Sequence, residues 1–242
     1  MSKSLTSKTH NNEETWISVS DMMAGLMMVF LLIAIIYSKD ANQRADNVSE
    51  IVTEWRDSEL KIYNALYEEF KHDLPKWNAE IENKTLTIRF NAPEILFNAG
   101  SAEISDQFKL VLQDFMPRYI WILKYQFDEK IDEVRIEGHT SSEWSDGYST
   151  EQAFIENMKL SQARTRTVLG YSLSLPELFL ETEWMTKKVS ANGLSSAKLI
   201  FTDGEENKSR SRRVEFTIKT KTKDALFRVL NRVSTPLEEV FE

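Results

Sequence analysis

Cysteine is absent from the 242 residues, which removes thiol catalysis, thiolate zinc sites and disulfides together. That absence fits either side of a bacterial membrane. Basic charge is scarce as well: 30 Lys and Arg stand against 38 Asp and Glu, for a net charge of −8. Such a surface argues against nucleic acid as a main partner, because phosphate binding needs a basic face. The chain also lacks an HExxH metal motif, a phosphate-cradling Gly-rich loop and a nucleophile elbow. Its three histidines, His10, His72 and His139, have no paired nucleophile in the pattern. His139 reads as a structural hydrogen-bond donor at a strand-to-turn position, and the sequence does not predict an enzyme or a metal cofactor.

Long apolar runs are equally rare, and the one present organises the chain. From Ile17 to Tyr37 the sequence is almost wholly apolar, about 21 residues or roughly 31 Å of helix, which matches a hydrocarbon core. Trp16 and Tyr37 fall where amphipathic rings favour the lipid–water boundary. One carboxylate, Asp21, sits inside. Its helical neighbours Ser18, Ala24, Gly25 and Met28 form a small, partly polar stripe that lets another helix approach closely. Asp21 therefore reads as an ion-carrying carboxylate at a helix–helix interface, or as one near the membrane edge that only reaches water or caps a helix end. A cleaved signal peptide is disfavoured, because no small-x-small site follows Ile36. Flanking charges do not decide orientation, since Lys3 and Lys8 are balanced by Lys39 and Arg44.

The remainder predicts five segments: a tail at 1–15, a transmembrane helix at 16–38, a helical linker at 39–80, an α/β domain at 81–222 and an amphipathic tail at 223–242. Residues 38–47 read as helical continuation or hinge. Val48, Ile51, Val52, Trp55, Ile62, Leu66 and Phe70 recur at helical spacing until Pro75. That helix could pack on its own domain, self-associate, or lie on the membrane and block a channel. Leu86, Ile88 and Phe90 alternate as a strand, and 95–104 reads as a second extended run turning at Gly100. A long helix follows, with Pro117 expected to kink or break it. Val134–Thr140, 189–191 and 214–219 read as strands, 154–173 as a helix, and 203–210 as a flexible charged loop. Leu226, Val229, Leu230 and Val233 suggest a surface helix or a frayed end. The fold class is α+β, a sandwich with helices on one face of a sheet.

Two resemblances attach to these residues. Trp16, Asp21, Met22, Met23, Ala24, Met27, Met28 and Phe30 resemble the membrane helix of MotB-type stator B subunits, and the wording from Val19 to Phe30 looks closer to the stator-like B subunits of Zorya anti-phage systems than to a flagellar protein. Four later pieces resemble the OmpA-like peptidoglycan-binding domain in order and spacing: Leu96-Phe97 with Gly100–Ile104, Ile136–Thr140, Asn157-x-x-Leu160-Ser161-x-x-Arg164, and Ser211–Glu215.

The resemblance implies a clamp for the diaminopimelate-containing stem peptide, in which the arginine at position 164 meets a ligand carboxylate. The family's Asp after Gly-His-Thr, which meets the ammonium, is replaced by Ser141, leaving Glu143 or Asp146 as shifted candidates. Thr140, Ser141, Asn157 and Leu160 complete the expected peptidoglycan site. The bland alternative for Arg164 is a scaffold ion pair, and Arg212 and Arg213 read as fold-maintaining. The resemblance further implies a single-pass inner-membrane protein with a cytoplasmic N-terminus and a periplasmic domain. Two copies would sit inside five of a polytopic, ZorA-like A subunit, with a proton favoured as the transported cation. Membrane lipid, peptidoglycan and a second copy are the other partners. Flagellar torque and a passive membrane-to-wall tether are the competing functions.

Overall fold

The computed structural model describes residues 7–91, 93–97, 101–221 and 227. The chain divides into two compact units, Met1–Thr53 with Leu226–Glu242, and Glu54–Ala225. Helix α1 (Ser7–Phe70) begins in the first unit and ends in the second. The expected Gly100 turn and the apolar run over 226–233, Phe227 apart, lie outside the described residues.

In the first unit, α1 carries the only stretch among the described residues long and apolar enough to cross a membrane. None of that window is buried against the rest of the chain. Met22, Met27 and Phe30 are 77%, 70% and 62% exposed, which the core helix of a soluble protein would not be. Residues 38–47 are helical, so the hinge alternative is not realised. A side chain added at Gly25 would meet nothing within 4 Å.

The second unit holds a five-stranded sheet whose strands, from one edge to the other, begin at Ala79, Thr87, Arg213, Ile131 and Val189. The strands are β1 (Ala79–Glu82), β2 (Thr87–Phe90), β3 (Ile131–His139), β4 (Val189–Gly193) and β7 (Arg213–Thr220). All neighbours pair antiparallel except β3 and β4, which are joined by a helical crossover and run parallel. Two long helices, α3 (Asp106–Phe127) and α4 (Thr150–Leu173), supply the apolar layer, with short α2 (Pro93–Leu96) and α5 (Thr182–Lys188) beside them. Alternation along the strands puts Ile88, Phe90, Val134, Ile136, Val214 and Phe216 on the helix face, where all are buried. Phe90, Phe115 and Phe216 meet with ring centroids 5.1–5.7 Å apart at steep angles, the offset that aromatic quadrupoles favour.

The last turns of α1 belong to this core. Ile62, Leu66 and Phe70 are fully buried, and Arg118 of α3 donates to Glu69 Oε1 at 2.7 Å and to Asp73 Oδ2 at 3.1 Å while lying over the Phe70 ring. Here the helix packs on its own domain. It ends at Phe70, ahead of Pro75, because the chain turns through 71–78 to reach β1.

Three expectations need correction. Pro117 sits inside an unbroken α3, so the expected break is not realised. Proline deletes one backbone hydrogen bond, but Phe115, Met116, Tyr119 and Ile120 on both sides of it are buried and hold the turns together. The extended run at 95–104 is instead helical over Pro93–Leu96, followed by a single antiparallel bridge between Phe97 and Ile104. Within the charged stretch after Ile200 lie a small hairpin, β5 (Phe201–Thr202) with β6 (Glu205–Glu206), and a helical turn, α6 (Lys208–Ser211). Gly204 makes that hairpin possible, with φ of +85°.

Helix α4 approaches the sheet closely. A Cβ on Gly138 would lie 2.7 Å from Thr165 Cγ2 and 2.9 Å from Ser161 O, and one on Gly193 would overlap the backbone of Gln162. Gly170, on the same helix, faces open space. Gly193→Ala should therefore cost about 1–3 kcal/mol as an overpacked contact, whereas Gly170→Ala should add about 0.5–1 kcal/mol through helix propensity. Urea unfolding of the full-length chain in detergent checks both signs; equal effects would contradict the close contact.

Candidate functional site

The site is built where β3 runs out into the turn at Thr140–Ser142 beside α4. Helix α4 starts at a reciprocal cap: Gln152 N donates to Ser149 Oγ at 3.3 Å and Ser149 N donates to Gln152 Oε1 at 2.9 Å. Its first turns then hold the turn in place. The buried Asn157 amide donates to the carbonyls of Ser141 and Glu143 at 3.3 and 3.0 Å. Ser161 Oγ accepts from Ser195 N at 3.1 Å, and Ser195 O accepts from Thr140 N at 2.9 Å. The motif serine thus links helix, turn and the loop after β4.

Arg164 lies seven residues beyond Asn157, about 10 Å along the same helix face. Its Nε donates to the Ser101 carbonyl at 2.9 Å, and the guanidinium stacks 4.7 Å from the Phe97 ring centroid. No carboxylate among the described residues comes within ion-pair distance of it, in contrast to Arg89, Arg118 and Arg213. Burial, reinforced by the charge of Arg212, pushes its pKa down to about 10, which still leaves it cationic at neutral pH. A cavity beside it, shared with Phe97, His139 and Arg213, has room for a single water, about 10 Å³. A ligand would therefore meet Arg164 at the surface.

The other expected site residues are placed differently. Thr140, Ser141 and Asn157 are buried, and the Asn157 amide is spent on the turn. Leu160 is half-buried. Of the acids near the turn, Glu143 is held by Lys208 and lies 3.8 Å from Arg212, and the Lys208 hydrogen bond lowers its pKa. Asp146 is exposed. An acid that the sequence reading did not name, Glu206 of β6, reaches the turn: its Oε1 accepts from Ser142 N at 3.0 Å and its Oε2 from the Ser142 hydroxyl. Contacts across 64 residues leave no local signal.

Behind the site, on the sheet face opposite the helices, lies a buried charge network. Glu215 Oε1 accepts from Arg89 Nε and Arg213 Nε, each at 2.6 Å. His139 Nε2 is 3.3 Å from Glu215 Oε2 and 4.0 Å from Glu137. Burial lowers the His139 pKa, with Arg213 acting in the same direction and the two acids opposing. Burial alone would raise Glu215, but His139 and Arg213 outweigh it and hold the carboxyl well below 4.5. Glu137, His139 and Glu215 present donor atoms within 4.8 Å of one another, a spacing a metal could use. Two guanidiniums already neutralise Glu215, so a divalent ion would face like charge, and the group fits a scaffold better.

This fold and this charge arrangement can be set beside known proteins. No family model matches the chain. Among solved structures it is similar to a MotB-like protein from Desulfovibrio vulgaris, with a TM-score of 0.52 and 23% identity, covering 69% of this chain and 98% of that one. The periplasmic domain of Helicobacter pylori MotB matches at a TM-score of 0.44 and 16% identity, over 65% of this chain and 92% of that one. The first of these shows that the sheet-and-helix unit has a MotB-like fold. Among curated proteins the chain is 44% identical over 219 residues to the Zorya protein ZorB of Escherichia coli strain ATCC 8739, covering 90% of this chain and 92% of the relative. The chain belongs to the ZorB family.

Glu215→Gln leaves the buried Arg213 guanidinium without its carboxylate, while Arg89 keeps Glu80 and Glu82, and should cost about 3–5 kcal/mol at pH 7 in urea unfolding. The sign with pH also follows. A carboxyl depressed in the folded state stabilises above its ordinary value of 4.5 and loses that contribution as pH falls toward its folded value. The variant's stability should accordingly fall less steeply than the wild type's below pH 4.5; parallel acid limbs would contradict the pairing.

Proposed function

We propose that this chain is the wall-anchored B subunit of a stator-type, ion-driven motor in the bacterial inner membrane, serving Zorya defence against phage. Membership of the ZorB family supports the system, and the MotB-like fold supports the architecture of anchor and grip. The observation that carries the grip is Arg164. A cation held over Phe97, with no carboxylate among the described residues within ion-pair distance, is poised for a ligand's carboxylate, which a guanidinium binds bidentately. A stem peptide of peptidoglycan supplies such a group.

The anchor carries the other half of the reading. A carboxylate within a membrane helix is costly unless it faces protein or water, and Asp21 sits in the apolar stretch of α1. There it can take up a cation, most simply a proton, and release it as its surroundings change. One charge crossing 100 mV releases about 2.3 kcal/mol, enough to bias a conformational step. A single span with a single acid makes no channel, so two copies would work inside a polytopic ZorA-like A subunit, five copies by analogy with stators. The N-terminus then lies in the cytoplasm and the sheet-and-helix unit in the periplasm, where peptidoglycan is found. Held to the wall, the B subunits stay still while the A ring moves around them.

Asp21→Asn should reach the membrane at wild-type level and abolish protection against phage in plaque assays; full protection would reduce the protein to a passive tether. Charge reversal at the grip, Arg164→Glu, should lower retention of the full-length protein on purified peptidoglycan by about ten-fold or more, the worth of one charge-assisted contact. Unchanged retention would return Arg164 to a scaffolding role.

A further inference from the structure

The loop that joins β3 to α4, Ser141 to Ser149, is polar apart from Gly147 and two aromatic residues, Trp144 and Tyr148. Their rings meet edge to face, with centroids 6.4 Å apart and planes at 68°. Gly147, at φ of +87°, reverses the chain between them. Neither ring belongs to the hydrophobic core, which takes in Trp77 and Trp184. Trp144 is half-buried and Tyr148 is 51% exposed. Elsewhere the polar atoms of aromatic side chains are engaged: Trp55 donates to Thr220, Trp184 to Asp128 and Tyr125 to Glu181. Among the described residues no hydrogen bond engages the Trp144 indole N–H or the Tyr148 hydroxyl. The loop that carries them is pinned at both ends. Asn157 and Lys208 hold the carbonyl and the carboxylate of Glu143, the residue before Trp144, and Ser149 caps α4 just after Tyr148.

Two fixed rings with free polar edges suit a ligand that is apolar on its face and polar at its rim. A pyranose is such a ligand: its C–H bonds turn weakly positive hydrogens toward the negative face of an aromatic ring, and its hydroxyl and acetamido groups seek partners around it. The indole N–H, the phenol hydroxyl and the exposed Asp146 carboxylate, two residues from Trp144, supply donors and an acceptor. A wholly apolar ligand would strand those groups away from water. Covalent continuity says which sugar would arrive. The stem peptide of peptidoglycan hangs from an amino sugar of the glycan strand, so a peptide gripped at Arg164 carries a hexosamine at its far end. Asn157 touches the carbonyl next to Trp144 and precedes Arg164 by about 10 Å of helix. Three extended residues span at most about 10–11 Å, so one stem tripeptide is long enough to join the two places.

We propose that Trp144 and Tyr148 form a saccharide subsite, on which the N-acetylated hexosamine that bears the stem peptide stacks while the peptide is held at Arg164. The inference rests on the peptidoglycan reading and extends it from the peptide to the glycan strand.

The test is titration of the full-length chain, in a detergent without a sugar headgroup, with the disaccharide-tripeptide of peptidoglycan and with the same tripeptide freed of its sugars. Wild type should bind the sugar-bearing form about ten-fold more tightly, the worth of one stacked ring with its hydrogen bonds. Trp144→Leu, apolar but without a π face, should lose that preference and bind the free tripeptide as wild type does. Trp144→Phe should keep most of the preference. Arg164→Gln should weaken both ligands and leave their ratio unchanged. Equal binding of the two forms by wild type, a full preference in Trp144→Leu, or an equal loss for both ligands in Trp144→Leu would overturn the saccharide subsite, and the Arg164 grip would stand as long as Arg164→Gln still weakens both. Binding of neither form by wild type, or normal binding of both by Arg164→Gln, would overturn the peptidoglycan reading and the subsite with it.

Discussion

The contact between α4 and the sheet at Gly138 and Gly193 is the constraint on which the site depends. Neither position has room for a Cβ, so helix and strands meet backbone to side chain at a distance no other residue allows. That proximity lets Asn157 reach the carbonyls after Thr140 and lets Ser161 reach Ser195. It also fixes the direction in which Arg164 leaves the helix. A helix standing farther off would leave the turn's carbonyls without donors and Arg164 without its seat on Phe97.

Compensation of charge is the second organising rule. The sheet face away from the helices is polar, yet Glu137, His139, Arg213 and Glu215 are each 6% exposed or less. Desolvated charges survive there because each carboxylate has a guanidinium or imidazole close by, and removing one partner strands the other. Against that background Arg164, on α4, stands apart, since among the described residues no carboxylate lies within ion-pair distance of it. Binding sites are places where a fold tolerates local frustration that a ligand relieves, and this guanidinium meets that description.

Much of this could be read from the chain, for identifiable reasons. Period-two alternation revealed β2 and β7, since each buries one face. The spacing Asn157-x-x-Leu160-Ser161-x-x-Arg164 marked one helical face, which is where these residues lie. Strand β1 escaped because Ala79–Glu82 is uniformly half-buried and so has no alternation. The small hairpin after Ile200 escaped because its pairing is only two residues long and its sequence is charged. Pro117 misled because local backbone cost was outweighed by burial on both sides of it. The seat of Arg164 on Phe97 and Ser101, and the arrival of Glu206 at Ser142, are tertiary facts that no window of sequence contains.

The central claim, that the domain grips a stem peptide through Arg164, is tested most directly by a structure of the full-length chain in lipid nanodiscs with a diaminopimelate-containing muropeptide bound. The account predicts a ligand carboxylate within hydrogen-bonding distance of the Arg164 guanidinium, with that guanidinium still stacked on Phe97. A ligand bound elsewhere, with Arg164 contacting only protein, would contradict it.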